Sequence, residues 1–291
     1  MNRICLGTAN IGTPYGIKNG KSDFHHLDLN EILLKAHTLG VVFIDTAISY
    51  QNSEDMLGQC SSKNFKIISK LPAAPNRIDI KAWVWNEVEA SLKRLGQAQL
   101  YGLLLHHPAD LLGDHGAALI QILNDVKASG LVHKVGISIY HYSELDKLFP
   151  IFEMDIVQAP FNIFDRSISD SGWLKKLANS GIEFHARSIF LQGMLFLEPN
   201  ALPNYFRNWK AEFNNLRDWL IETEQNIVDA SVRHILSYDE VSLIISGFST
   251  FTQIEEVIRA SEKSACRAPV RLKSTDSQLI NPQKWDLGSP L

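Results

Sequence analysis

Short apolar runs alternate with longer amphipathic stretches from one end of the chain to the other. The first run, Ile4–Gly7, is brief and apolar throughout, and reads as a buried strand. In Leu27–Leu39, residues Leu29, Ile32, Leu33 and Ala36 recur at helical spacing, and Gly40 closes the element. The same alternation predicts strands at Val42–Asp45, Lys66–Leu71, Leu100–Leu105, Lys134–Ser138, Asp155–Ala159, Ile182–Ala186 and Val241–Ser246. Predicted helices lie between them at Ser53–Cys60, Ile80–Arg94, Leu119–Ser129, Tyr142–Phe149, Trp173–Asn179 and Thr252–Ser261. An irregular segment, Leu197–Tyr205, leads to a helical stretch near Phe213–Leu236.

Eight strand–helix repeats without a break in composition predict an α/β fold, a single (β/α)8 TIM barrel spanning residues 1–291. An open doubly wound sheet is the main rival. It is disfavoured because Gly7-Thr8-Ala9-Asn10-Ile11-Gly12 lacks the glycine spacing of a dinucleotide fingerprint. Residues 264–291 form a C-terminal tail without periodicity, containing Pro269, Pro282 and Pro290. Either an open end or a loop packed over the barrel fits that pattern.

With 45% hydrophobic and 21% charged residues, the chain has the makeup of a soluble globular protein. Its net charge of −4, without a basic block, gives nucleic-acid binding little electrostatic support. The apolar run at the amino terminus is too short for a signal peptide, and no stretch approaches a membrane span. Cys5, Cys60 and Cys266 are widely spaced and match no metal pattern. The expectation is a cytoplasmic protein with no metal, nucleic-acid or membrane partner.

A barrel enzyme builds its active site at the carboxyl ends of its strands. Asp45 ends the second predicted strand, Lys70 lies at the end of the third, and His106 follows the fourth. A carboxylate at the end of a buried strand is costly unless a cation or hydrogen-bond donors meet it. Alternate residues of a strand share a face, so if Asp45 points inward with Phe43, Lys70 does so with Ile68 and His106 with Leu104. His107 then turns outward or into the next loop, and stays open as a substrate contact. Singly, each has a plainer reading: Asp45 caps the next helix, Lys70 is solvated, His106 is a satisfied histidine and nearby Tyr50 is packing. Their joint occurrence favours a site.

Around Asp45 the chain reads Asp45-Thr46-Ala47, then Tyr50, Ser53-Glu54 and Leu57-Gly58. This pattern, D-T-A-x-x-Y-x-x-S-E-x-x-L-G, resembles the signature of the aldo-keto reductase family. The resemblance extends from Gly7-Thr8-Ala9-Asn10 to the segment after strand eight. Phe161-Asn162-Ile163-Phe164-Asp165-Arg166, followed by His185–Leu195, looks like a bacterial-type subgroup. The resemblance implies reduction of a small-molecule carbonyl by NADP(H) or NAD(H), with Asp45, Tyr50, Lys70 and His106 as a catalytic tetrad. Tyr50 would donate the proton and Lys70 would lower its pKa from the ordinary value near ~10. Asp45 would hold the lysine, and His106 would orient the carbonyl oxygen.

The resemblance also implies cofactor contacts from Gly7, Thr8, Asp45, Ser138, Gln158, Arg187, Ser188, Phe190, Gln192, Gly193, Gly247, Phe248, Ser249, Gln253 and Glu256. Ser138 and Gln158 would hold the nicotinamide carboxamide, and the helix start after Thr250 suits an anion. Two departures stand out. Ile139 replaces an asparagine common in the family, and Arg187 stands where an aromatic residue often flanks the nicotinamide. Arg187 either pairs with Asp165 or Asp170, or lies by the ring and disfavours its oxidised, cationic form. No Lys or Arg occupies the positions of Gly247, Phe248 or Gln253, so weak discrimination between the two cofactors is expected. Arg259 or Arg267 is the alternative source of a cation. Tyr15, Tyr50, His106 and His107 are the expected substrate contacts, with Tyr140, Phe161, Phe164, Arg166 and Trp285 as candidate pocket walls. Aldehydes, ketones and a keto-sugar all fit. A different class, a regulatory barrel sensing nicotinamide redox state, would have no need of Tyr50.

Overall fold

The computed structural model describes residues 2–11, 26–75 and 79–286, without the side chains of residues 26 and 27. In chain order the elements are β1 (Ile4–Gly7), α1 (His26–Thr38), β2 (Phe43–Asp45), α2 (Ser53–Gly58), β3 (Lys66–Leu71), α3 (Ile80–Leu95) and β4 (Leu100–Leu105). There follow α4 (Gly116–Ala128), β5 (Val132–Ser138), α5 (Glu144–Leu148), β6 (Ile156–Pro160), α6 (Ser167–Asp170), α7 (Trp173–Asn179) and β7 (Glu183–Arg187). The chain ends with α8 (Lys210–Glu222), α9 (Ile227–Leu236), β8 (Val241–Gly247), α10 (Phe251–Ser261) and α11 (Ser277–Ile280). All eight strands are parallel and close on themselves in sequence order, β8 pairing with β1. The fold is the (β/α)8 barrel that the alternating pattern predicts.

Strand parity divides the core into two layers. Cys5, Phe43, Ile68, Leu104, Ile156 and Ile245 fill the barrel, whereas Leu6, Ile44, Ile67, Leu103, Val157 and Phe184 face the helices. At the amino-terminal end, Tyr101 Oη donates to Glu183 Oε1 at 2.7 Å, Lys134 binds the same oxygen, and His185 Nε2 lies 3.0 Å from Oε2. Burial pushes the Glu183 carboxyl up, but the bonds from His185, Lys134 and Tyr101 outweigh it and bring it to about 2. The charged plug closes the end opposite the candidate site.

The helix α2 is fixed in an unusual way for so short an element. Glu54, only 2% exposed, accepts from Ser69 Oγ and Ser91 Oγ at 2.7 Å each and from Arg94 Nε at 2.8 Å. Those partners come from β3 and α3, so a buried carboxylate, fully met, stitches three elements together. Gly58 completes the fit: a Cβ there would fall 1.9 Å from the Arg94 carbonyl oxygen. The Ser53-Glu54 and Leu57-Gly58 portions of the motif thus hold the turn that carries Tyr50.

One expectation needs correction, and one alternative left open by the sequence is decided. The helical stretch near Phe213–Leu236 is two helices, α8 and α9, separated where Glu224 adopts φ 52° and Asn226 caps α9 by accepting from Asp229 N at 2.8 Å. The tail is packed rather than open within its described part. Ala268, Leu272, Leu279, Ile280 and Trp285 join Phe164, Phe206, Phe213 and Leu216 in a second apolar cluster. No helix among the described residues is long and apolar enough to cross a membrane.

Candidate active site

The carboxyl ends of β2, β3 and β4 bring Asp45, Lys70 and His106 to one corner, and the turn before α2 adds Tyr50. Lys70, 1% exposed, donates from Nζ to Asp45 Oδ1 at 2.6 Å and to the Thr46 carbonyl at 2.8 Å. Its Nζ also stands 5.2 Å from the centroid of the Tyr50 ring. Tyr50 and His106 meet edge to face, with centroids 5.7 Å apart. Gln158 Nε2 donates to the second Asp45 oxygen at 2.7 Å, and Ser138 Oγ lies 3.4 Å from Gln158 Oε1. Asp45 is therefore met on both oxygens, which is what a buried strand-end carboxylate requires.

The expected lowering of the Tyr50 pKa by Lys70 is not what this arrangement produces. Burial raises the phenol well above its ordinary value, Asp45 raises it further, and Arg187 opposes them. The Lys70 ammonium donates to Asp45 and the Thr46 carbonyl rather than to the phenol, and burial and Asp45 set the direction of the shift. Tyr50 stays protonated at neutral pH. His106 moves the other way: burial, then Lys70, Arg187 and His107, push it down to about 3. Its imidazole is neutral across the physiological range.

From this corner a cavity of about 400 Å³ runs along the ends of β1, β7 and β8 to α10. Its walls include Gly7, Asp45, Tyr50, Gln158, Arg187, Ser188, Phe190, Gln192, Gly193, Gly247, Phe248, Ser249, Gln253 and Glu256, all anticipated from the sequence. Two anticipated cofactor residues are absent from the walls. Thr8 Oγ1 donates to the Asp45 carbonyl at 3.1 Å and accepts from Ser53 Oγ at 2.8 Å, tying β1 to the Tyr50 turn. Ser138 is buried behind Gln158 and touches the cavity through it.

Asn10, Phe196, Val228 and Val257 also line the cavity, and the sequence reading did not single them out. Asn10 Nδ2 donates to the Phe248 carbonyl and, at 3.3 Å, to Ser249 Oγ, clasping the β1 loop to the β8 loop. Its signal was a polar residue three positions past a strand end.

Arg187 pairs with neither Asp165 nor Asp170. Its guanidinium stacks 4.4 Å from the centroid of Tyr140, Nη2 donates to the Ile139 carbonyl at 2.9 Å, and Nη1 lies 3.3 Å from Ser188 Oγ. It has no carboxylate partner among the described residues, because Asp170 is taken by Lys273 and Asp165 by Ser167. The Ile139 side chain turns into the outer core, so only its carbonyl faces the site.

Four expected pocket walls lie elsewhere. Phe161 packs against Phe184, Tyr238 and His234, and Phe164 packs edge-on to Phe213. Arg166 donates to the carbonyls of Ile163, Ala268 and Pro269, anchoring the tail. Trp285 Nε1 donates to the Leu279 carbonyl at 3.0 Å within the second cluster. His107 is exposed, 2.7 Å from Asp110 through Nδ1. Tyr15 falls outside the described residues.

The walls suit a dinucleotide. Ser188, Leu191, Gln192 and Gly193 carry φ values of 54°, 48°, 54° and 87° in a single loop. Non-glycine residues rarely adopt such angles, and Ser188, Gln192 and Gly193 of this loop line the cavity. A Cβ on Gly193 would meet nothing within 4 Å, so the glycine leaves that wall open. At the far end, Thr250 caps α10 by accepting from Gln253 N, and the helix start faces the cavity wall formed by Ser249 and Gln253. Gln158, Ser188, Gln192, Gly193, Ser249 and Gln253 supply amides and hydroxyls along the cavity, as a nicotinamide dinucleotide requires.

The fold is a (β/α)8 barrel with a polar-lined cavity at the carboxyl ends of its strands, and comparison with known proteins names its family. The sequence profile of the Aldo/keto reductase family matches residues 3–266, and the chain belongs to that family. A protein of Escherichia coli strain K12 named NADH-specific methylglyoxal reductase is 25% identical over 305 residues, covering 89% of this chain and 90% of its own. The oxidoreductase YqkF of Bacillus subtilis strain 168 is 24% identical over 250 residues, covering 79% and 81%. A solved aldo-keto reductase of Bacillus halodurans in its holo form superposes with a TM-score of 0.73 at 20% identity, covering 92% of this chain and 89% of that one. The protein is an NAD(P)H-dependent carbonyl-reducing oxidoreductase.

Proposed function

We propose that the enzyme reduces a small aldehyde or ketone, a keto-sugar included, to the alcohol, with Tyr50 as the proton donor. The observation that carries this reading is the convergence of His106 and the Lys70–Asp45 pair on Tyr50, which together with Asp45 lines the cavity. When bound, the reduced nicotinamide supplies the hydride for the carbonyl carbon. His106 orients the carbonyl oxygen, and the Tyr50 hydroxyl gives that oxygen its proton, leaving a phenolate that solvent reprotonates. Burial keeps the phenol loaded between turnovers; Lys70 and Arg187 are the cations that meet the phenolate when it forms. Gly7, Gln158, Ser188, Phe190, Gln192, Gly193, Gly247, Phe248, Ser249, Gln253 and Glu256 hold the cofactor, with Thr8 and Ser138 acting through their neighbours.

Cofactor choice follows from charge. Among the described residues, the one cation in the cavity walls is Arg187, at the Tyr50 corner, whereas the α10 end carries Ser249, Gln253 and Glu256. Arg259 is bound to Glu255 and Arg267 to Ser237, and Lys35, stacked on Phe251, is bound to Glu31. A 2′-phosphate there gains only neutral hydrogen bonds, so NADH competes seriously with NADPH. The test is turnover of 4-nitrobenzaldehyde and methylglyoxal with each reduced cofactor. Activity with both cofactors is expected. A preference for NADPH above ~1000-fold, about 4 kcal/mol, would mean that a cation is recruited to the phosphate. Tight NADH binding with no turnover of either carbonyl would overturn the reductase reading in favour of a redox sensor.

Arg187 biases the site toward the reduced cofactor, since a guanidinium repels a cationic oxidised ring and tolerates a neutral one. Titrating both redox forms against wild type and Arg187→Phe should show the oxidised form binding more tightly to the variant, by about fivefold or ~1 kcal/mol, with the reduced form little changed. An unchanged ratio of dissociation constants would assign Arg187 a structural or substrate role.

A further inference from the structure

His106 makes one side-chain hydrogen bond among the described residues, and its partner is a residue the reaction does not otherwise use. Ser49 Oγ lies 3.2 Å from His106 Nδ1. Ser49 directly precedes Tyr50, so one turn carries both the proton donor and the partner of the imidazole. That turn is held at both ends: Ile48 N donates to the Lys70 carbonyl at 3.1 Å and Tyr50 N to the Ala47 carbonyl at 3.0 Å. The imidazole also packs edge-on to Tyr50, at an interplanar angle of 78°, so its two nitrogens have different surroundings.

A neutral imidazole carries a single proton, on Nδ1 or on Nε2, and the hydrogen bond made by one nitrogen selects the form present. A carbonyl oxygen awaiting reduction is an acceptor, so only an N–H can orient it. With the proton on Nδ1, that donor would be engaged by Ser49 and Nε2 could only accept. With the proton on Nε2, Ser49 donates to Nδ1 and the ring keeps an N–H to give to the substrate oxygen.

We propose that the Ser49 hydroxyl donates to His106 Nδ1 and locks the imidazole in its Nε2–H form, making Ser49 a positioning residue for the bond that orients the substrate oxygen. The inference rests on the reading of His106 given above. It assigns a task to a position that is neither among the cavity walls nor a hydrogen-bond partner of the Lys70–Asp45 pair.

The experiment is two-bond proton–nitrogen spectroscopy on cofactor-free protein labelled at its 10 histidines, with the His106 signals identified by their loss in His106→Gln. Wild type should show the Nε2–H form, Ser49→Ala a mixture of the two, and Ser49→Thr the wild-type pattern. In parallel, kcat for 4-nitrobenzaldehyde should fall about 5- to 10-fold in Ser49→Ala, the scale of one net hydrogen bond, and recover in Ser49→Thr. NADH affinity should stay unchanged in both. An Nδ1–H form in wild type, an unaltered tautomer in Ser49→Ala, or an unaltered kcat there would each overturn the proposal. Because the tautomer is read without substrate, a protein that turned over no carbonyl would fail the reductase reading while leaving this one separately answered.

Discussion

Tyr50→Phe should lower kcat by about 1000-fold or more, roughly 4 kcal/mol of transition-state stabilisation, while NADH binding changes by less than about twofold. The hydroxyl and the ring of Tyr50 do separate things. The ring packs edge-on to His106 and beneath the Lys70 ammonium, and phenylalanine keeps both contacts. Only the proton is removed, and among the described residues nothing at that corner replaces it. Lys70 is bound by Asp45 and the Thr46 carbonyl, and His106 is held neutral by a pKa pushed down to about 3, so its single N–H is a poor acid. Stopped turnover with intact cofactor fluorescence titration is therefore the expected pair of results. If the variant kept more than about 1% of wild-type kcat, a solvent-derived proton would suffice and Tyr50 would lose its assigned role.

How much of this was legible beforehand depends on which physical rule each residue obeys. Parity along a strand placed Asp45, Lys70 and His106 on inward faces, and the structure brings them together because a closed parallel barrel leaves no other place for inward residues at strand ends. The same rule, extended past Gln158, would have turned Phe161 outward with Val157 and Ala159, where it is found. Reading it as a pocket wall trusted residue type over geometry. The break between α8 and α9 carries no glycine or proline, and Glu224 supplies the positive φ instead, so periodicity ran through it. The tail has no periodic signal because it packs as short turns, each burying one or two side chains, with Arg166 capping carbonyls from a distant strand end. The Tyr50 environment was the least legible. Identity showed a lysine near a tyrosine, but the direction of the shift is set first by the burial of the phenol and then by Asp45, and the sequence shows neither.

Lys70→Met separates the stabilising and chemical parts of that ion pair. The substitution leaves Asp45, 4% exposed, with Gln158 as its remaining side-chain partner. An uncompensated buried carboxylate of this kind costs about 3–5 kcal/mol, so the single variant should unfold at markedly lower denaturant than wild type. Replacing both partners is different, because a buried ion pair exchanged for neutral groups of similar size is close to neutral in stability. Asp45→Asn combined with Lys70→Met should therefore recover most of the lost stability. Turnover should not follow. When Tyr50 gives up its proton, a phenolate forms in a buried corner, and the Lys70 ammonium stands 5.2 Å from the centroid of its ring as a fixed positive charge. With that charge gone, kcat should stay down by about 100-fold or more, roughly 3 kcal/mol, in the refolded double variant. Urea unfolding and kcat measured on the same preparations give the two readouts. A double variant that regained both would mean that Lys70 serves only to satisfy Asp45. One that regained stability alone would place the lysine's charge in the chemistry of proton transfer.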